Sequence, residues 1–138
     1  MPIKFFKLKR KIIVNSVAYE RYVPKMQVET IVGFEKIAEM IEKKSSMSRG
    51  DILGVLAELE ESTFWLLENG HPVNLGLLGT FYPTITVKSV DSPEKITSKL
   101  ITRFRILFKP SKYFKKRLKN VEFVLGDSEV RRVNYKKK

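Results

Sequence analysis

Between Ser48 and Gly70 the chain carries the stretch that most restricts its fold. Ser48 opens SRGD, in which a helix-capping Ser is followed three residues on by Asp51. This is a short-armed form of the capping box, and it also sets a negative charge at the positive end of the helix. The run Ile52–Glu68 then places apolar side chains at Ile52, Leu53, Val55, Leu56, Ala57, Leu59, Phe64, Leu66 and Leu67, and Asn69–Gly70 stops it. These positions reach too far around the helix to form one stripe, and such a helix must be covered on several sides. In a chain of 138 residues a second copy is the most economical cover, so a homodimer is expected, with Phe64, Trp65 and Leu67 as core or dimer interface.

The hydrophobic period changes on either side of this helix. Phe34, Ile37, Ala38 and Ile41 follow the 3.6-residue period and predict an amphipathic helix over Phe34–Lys44. Before it, alternation near period two predicts strands at Ile3–Val14 and Tyr22–Ile31, joined by a bend at Asn15–Ser16, with Pro24 marking an edge strand. After Gly70, HPVNLGLLGTFYPTITVKSV reads as strand, turn, strand, and Gly76 and Gly79 mark a tight turn or close approach. Val90–Lys99 is a polar connection with a helical turn beginning at Ser92–Pro93. Thr102, Phe104, Ile106 and Phe108 then alternate with Arg103, Arg105 and Leu107, giving a strand with one basic face and one apolar face whose Phe104, Ile106 and Phe108 are expected to anchor it to the core. Ser111 is placed to cap a last helix in which Phe114 and Leu118 turn inward, Val121–Leu125 adds a strand, and the tail ending in Tyr135–Lys138 is expected to be mobile. The fold class is therefore α+β. Three segments are expected: an N-terminal strand extension over 1–33, a central domain over 34–120, and a C-terminal strand with a basic tail over 121–138.

Charge points to the partner. The net charge is +12, but its distribution says more than its sum. Residues 1–33 carry seven basic and two acidic side chains, 34–70 four and eight, 71–120 eleven and two, and 121–138 five and three. An acidic segment followed by a strongly basic one implies a one-sided positive surface, the electrostatic footprint of a phosphate-backbone binder. With no Cys, disulfides and thiolate chemistry are excluded; the single His71 argues against a histidine-built metal site and is read as structural. No cofactor is expected. Nor does any Ser, Asp and His71 constellation emerge to support catalysis, and the GLLG turn lacks phosphate-loop spacing. No run approaches the ~20 apolar residues of a membrane span, and MPIKFFKLKRKIIV is interrupted by charge before a signal core could form. A soluble cytoplasmic protein is expected.

The order of elements, with Gly76–Leu77–Leu78–Gly79–Thr80–Phe81 at the turn and Phe108–Lys109–Pro110–Ser111 closing the later strand, resembles the bacterial histone-like HU/integration host factor family. Those two motifs match the family's G-F-G-[NST]-F and F-[KR]-P-[GS] patterns, and the likeness spans about residues 34–120. The residues before and after look like the extended HU-related subgroup, in which strands are added around the same core. The resemblance implies an intertwined homodimer with a helical base, a β-sheet saddle and two β-ribbon arms embracing double-stranded DNA in the minor groove, each arm tip carrying a proline wedge. It also implies a nucleoid-associated, non-enzymatic architectural protein with low sequence specificity that bends or compacts DNA, without a small-molecule substrate. At the tip this chain has Asp91–Ser92–Pro93 followed by Glu94 where the family carries Arg-Asn-Pro, and the two carboxylates repel phosphate.

The candidate DNA contacts are Arg103, Arg105 and Lys109 on the strand and Lys112, Lys115, Lys116 and Lys119 on and after the last helix. Thr80 sits beside the turn, Arg49 lies in the first turn of the apolar helix as either a DNA contact or a salt-bridge partner, and Lys88, Lys99 and Pro93 lie in the connection. The backbone N–H groups at Ser111–Lys112 suit an anion. Contacts of this type position a duplex without identifying its bases. Two other readings stay open: an HU-like dimeric scaffold mainly for protein assembly, and binding to RNA or an anionic membrane.

Overall fold

The structure, a computed structural model, describes residues 1–132; the expected mobile end of the tail, Tyr135–Lys138, lies outside the described residues. The chain divides into two compact units, Met1–Ile31 together with the chain from Lys119 onward, and Val32–Leu118.

The first unit is a three-stranded sheet of β1 (Ile3–Val14), β2 (Val17–Met26) and β6 (Phe123–Arg132), in the order β2-β1-β6. β1 occupies the span that its alternation predicts. β2 begins five residues earlier than expected and ends sooner. Asn15 (φ 50°) and Ser16 (φ 64°) both take the left-handed conformation that a two-residue hairpin loop requires, so Val17 falls directly opposite Val14 and the ladder runs on to Phe5 opposite Met26. Pro24 sits on the edge strand, where its missing N–H costs no ladder bond. β6 pairs parallel to β1, from Ile3 opposite Phe123 and, past an irregularity, to Lys9 opposite Arg132. The expected strand at Val121–Leu125 is thus displaced and longer. Its Gly126–Asp127–Ser128 centre has no strand-like pattern of its own and falls in that irregularity, outside the β1 register; Phe123–Leu125 and Val130–Arg132 on either side of it pair with β1.

The second unit contains α1 (Phe34–Glu42), α2 (Arg49–Glu68), β3 (Val73–Asn74), β4 (Gly79–Val87), β5 (Ile101–Pro110) and α3 (Lys112–Leu118), with sheet order β3-β4-β5. The Ser48 hydroxyl accepts from the Asp51 N–H at 3.2 Å, as the SRGD cap predicts, and Gly70 (φ 83°) ends α2 in the left-handed region. α1 stops at Glu42, two residues short of expectation, because Lys43 already serves as its C-cap. On its surface, Lys36 and then Lys43 hold the Glu39 carboxyl below its ordinary range by hydrogen bonding to its charged form.

Burial departs from the sequence reading. Among the described residues only Ala38, Ile52 and Leu67 form a buried apolar core. Phe104, Ile106, Phe108 and Leu118, expected to turn into the core, are all exposed, Phe104 at 53% and Leu118 at 52%; Phe114 alone is half-buried. Three buried side chains cannot cover the apolar faces of a long helix and a β-ribbon, so those faces stay open in the single chain. Trp65, 61% exposed, belongs to the same uncovered surface.

Candidate nucleic-acid interface

The two motifs lying some thirty residues apart in the chain meet in one antiparallel ladder. Gly79 pairs with Pro110, Thr80 with Lys109 and Phe81 with Phe108. The rings of Phe81 and Phe108 are 4.9 Å apart between centroids in a tilted arrangement, a geometry that aromatic pairs favour. A side chain at position 79 would run into the Lys109 carbonyl and Pro110 backbone, and Gly79 also holds φ at 148°. Ser111 fixes the corner from the other side. Its N–H donates to the Leu78 carbonyl (3.2 Å), its hydroxyl donates to the Leu77 carbonyl, and the same oxygen accepts from the Phe114 N–H at 3.0 Å. One side chain therefore caps α3 and ties it to the glycine turn. It also uses one of the N–H groups that the sequence reading offered to an anion.

Beyond the corner, Thr84 lies opposite Arg105 and Thr86 opposite Arg103. Side chains directly opposite in an antiparallel pair share a face. One face of the β4–β5 ribbon therefore carries Thr80, Tyr82, Thr84 and Thr86 beside Lys109, Leu107, Arg105 and Arg103. The Lys109 ammonium lies 5.0 Å from the Tyr82 ring centre, which orients it by cation–π attraction. The Thr80 hydroxyl accepts from the Asn74 amide at 3.0 Å, leaving its own proton free to donate outward. Arg103, Arg105 and Lys109 are exposed and make no ion pair among the described residues. Fixed cations interleaved with hydroxyl donors are the chemistry that takes phosphate oxygens.

The other candidates lie on other elements. Lys112, Lys115 and Lys116 are exposed on α3, and Lys119 follows it. The ladder closes at Val87 opposite Ile101. Lys88 continues from it, its N–H donating to the Leu100 carbonyl at 2.9 Å, while Lys99 lies in a 3₁₀ turn at Ser98–Leu100. Pro93 is exposed at the head of another 3₁₀ turn, Pro93–Lys95, the helical turn expected there. In that turn Lys95 pairs with Asp91 at 2.7 Å, which offsets one of the two carboxylates beside the proline. Arg49 is engaged by Glu42 at 3.2 Å, the salt-bridge alternative of its two readings.

Tyr82, Thr84, Thr86 and the supporting Asn74 were not among the candidates. The repeat Thr80, Tyr82, Thr84, Thr86 at every second residue was the available signal, but which basic residues stand opposite them depends on register. Among the described residues there is no His, Cys, Asp or Glu group able to hold a metal, and no helix long and apolar enough to cross a membrane.

A family model described as HU-HIG, an HU domain fused to wHTH, Ig, or glycine-rich motif, matches residues 1–124. No curated protein matches the chain. A crystal structure from Bacteroides vulgatus, of a protein named as a candidate bacterial DNA-binding protein, is similar to it with a TM-score of 0.56 at 15% identity over 90% of this chain. At that identity the likeness concerns the fold. The chain spans 49%, about half, of that protein's length.

Proposed function

The chain belongs to the HU-HIG family, and from that premise we propose that it is a non-enzymatic architectural DNA-binding protein whose β4–β5 face and α3 grip the duplex backbone with little sequence preference. The observation that carries this reading is the register that sets Arg103, Arg105 and Lys109 opposite Thr86, Thr84 and Thr80 on one face. A rigid ribbon holds these groups at fixed spacing, so they meet a phosphate backbone without first being ordered. Because they address phosphates and not base edges, they position the duplex and do not read it.

The protein works as a homodimer in this account. Exposure of Trp65, Phe64, Phe104 and Ile106 in the single chain supports it, since apolar surface on this scale is covered in a stable assembly. The loop carrying Pro93 then serves as the tip of an arm, with Pro93 as a wedge at a base step and the protein associated with the nucleoid.

Competition between duplex DNA, RNA and anionic vesicles tests the partner, with duplex expected to win. Charge reversal at Arg103, Arg105 and Lys112 is expected to abolish duplex binding while the dimer persists. Retained binding in that variant contradicts the assignment and leaves the assembly-scaffold reading in its place. A bending assay tests the tip: Pro93→Ala is expected to reduce the bend angle, and equal angles dismiss the wedge.

A further inference from the structure

The β1–β2 hairpin concentrates charge to a degree that its own sheet does not explain. Between Ile3 and Met26 it carries Lys4, Lys7, Lys9, Arg10, Lys11, Arg21 and Lys25 against the single carboxylate of Glu20. Arg10 stands directly opposite Arg21. Like charges in that position destabilise a strand pair, a cost that an opposite charge nearby would compensate.

That compensation does not come from Glu20. Glu20 is opposite Lys11 in the ladder and pairs with Lys9 at 3.0 Å, so it belongs to the other face of the hairpin. On the face of Arg10 and Arg21 the same register places Lys25 opposite Phe6 and Tyr19 opposite Ile12. β6 adds Arg131 opposite Leu8, its guanidinium 4.2 Å from the Phe6 ring centre. Arg131 is already engaged, by that ring and by Asp127 at 3.9 Å. Arg10, Arg21 and Lys25 are exposed and make no ion pair among the described residues.

We infer that this face is a second phosphodiester-binding surface, on which Arg10 and Arg21 converge on a backbone phosphate and Lys25 lies along the same track. Arginine suits this position because its planar fork can donate two hydrogen bonds to phosphate oxygens, which the compact ammonium of lysine does not reproduce. Two guanidiniums facing each other across a ladder repel until an anion bridges them, and a bridging phosphate turns the repulsion into attraction for both. The inference rests on the reading of the chain as a DNA-binding protein, but it uses none of the residues that reading uses.

The test measures duplex affinity of the full chain as a function of salt for wild type, Arg10→Gln/Arg21→Gln, Arg10→Lys/Arg21→Lys, and Arg103→Gln/Arg105→Gln. Removing the Arg10–Arg21 pair is expected to weaken binding and to lower the magnitude of the log–log salt slope by about 0.9, one phosphate contact. The lysine pair keeps that slope because it keeps the charge. Circular dichroism and thermal melting establish that each variant retains its sheet. A glutamine pair that melts higher than wild type and binds duplex with unchanged affinity and slope overturns the inference: the pair is then only a repulsive surface. If wild type binds no duplex, the underlying reading fails as well; if only Arg103→Gln/Arg105→Gln changes the slope, the inference alone falls. Loss of binding to phosphatidylserine vesicles with duplex binding unchanged also overturns it, in favour of a membrane surface.

Discussion

Gly79 shows how far one residue can govern the candidate interface. Its backbone holds φ at 148°, and a methyl group there would overlap the Lys109 carbonyl, so Gly79→Ala must shift either the turn or the strand that carries the cations. Destabilisation of about 1–3 kcal/mol is expected, as for other non-glycine residues forced into such backbone; a thermal melt matching wild type would show that the corner is slack. Ser111 acts on the same junction by hydrogen bonding. Ser111→Ala removes the α3 cap and the tether to Leu77, and a loss of about 1 kcal/mol is expected from the cap, measured by denaturant titration. Both residues were legible from the chain: Gly79 as a constrained glycine and Ser111 as a cap. The junction they share was not, because it brings Gly79 against Lys109 and Ser111 against Leu77, positions distant in sequence.

Among the elements, α2 makes the clearest demand. Its caps, its length and its excess of apolar surface could all be read directly, because each depends on residues within a few turns of one another. The structure adds the consequence, leaving Trp65, Phe64, Val55 and Leu59 exposed in the single chain. If the proposed homodimer covers this face, Trp65→Lys is expected to shift it to monomer in sedimentation at micromolar concentration; an unchanged dimer would place the interface elsewhere. Elements whose limits depend on remote partners were read less well. β2 starts at Val17 because a two-residue turn sets it against Val14, and β6 extends to Arg132 because β1 pairs with it on both sides of the irregularity at 126–129. In β4, Thr84 and Thr86 were passed over for the same reason: their significance lies in being opposite Arg105 and Arg103, and one chain's sequence does not display register.

At the scale of the whole molecule, charge is distributed unevenly. The excess of cations in residues 71–120 resolves into a ribbon face and a short helix, each carried by backbone that hydrogen bonds hold in place, and a second excess sits on the N-terminal hairpin. The acidic stretch of α1 and α2 is apart from both in sequence, and its ion pairs engage Lys36, Lys43 and Arg49 within that stretch. Such an arrangement makes binding to a duplex an exchange of condensed counterions for fixed protein cations. The most direct measurement of that claim is the salt dependence of duplex affinity for wild type beside Arg103→Gln/Arg105→Gln. A steep fall with salt is expected for wild type, and a slope smaller in magnitude by about 1.8 for the double variant, corresponding to two phosphate contacts at about 0.9 each. Salt-independent binding by wild type, or the same slope in both proteins, would contradict the account.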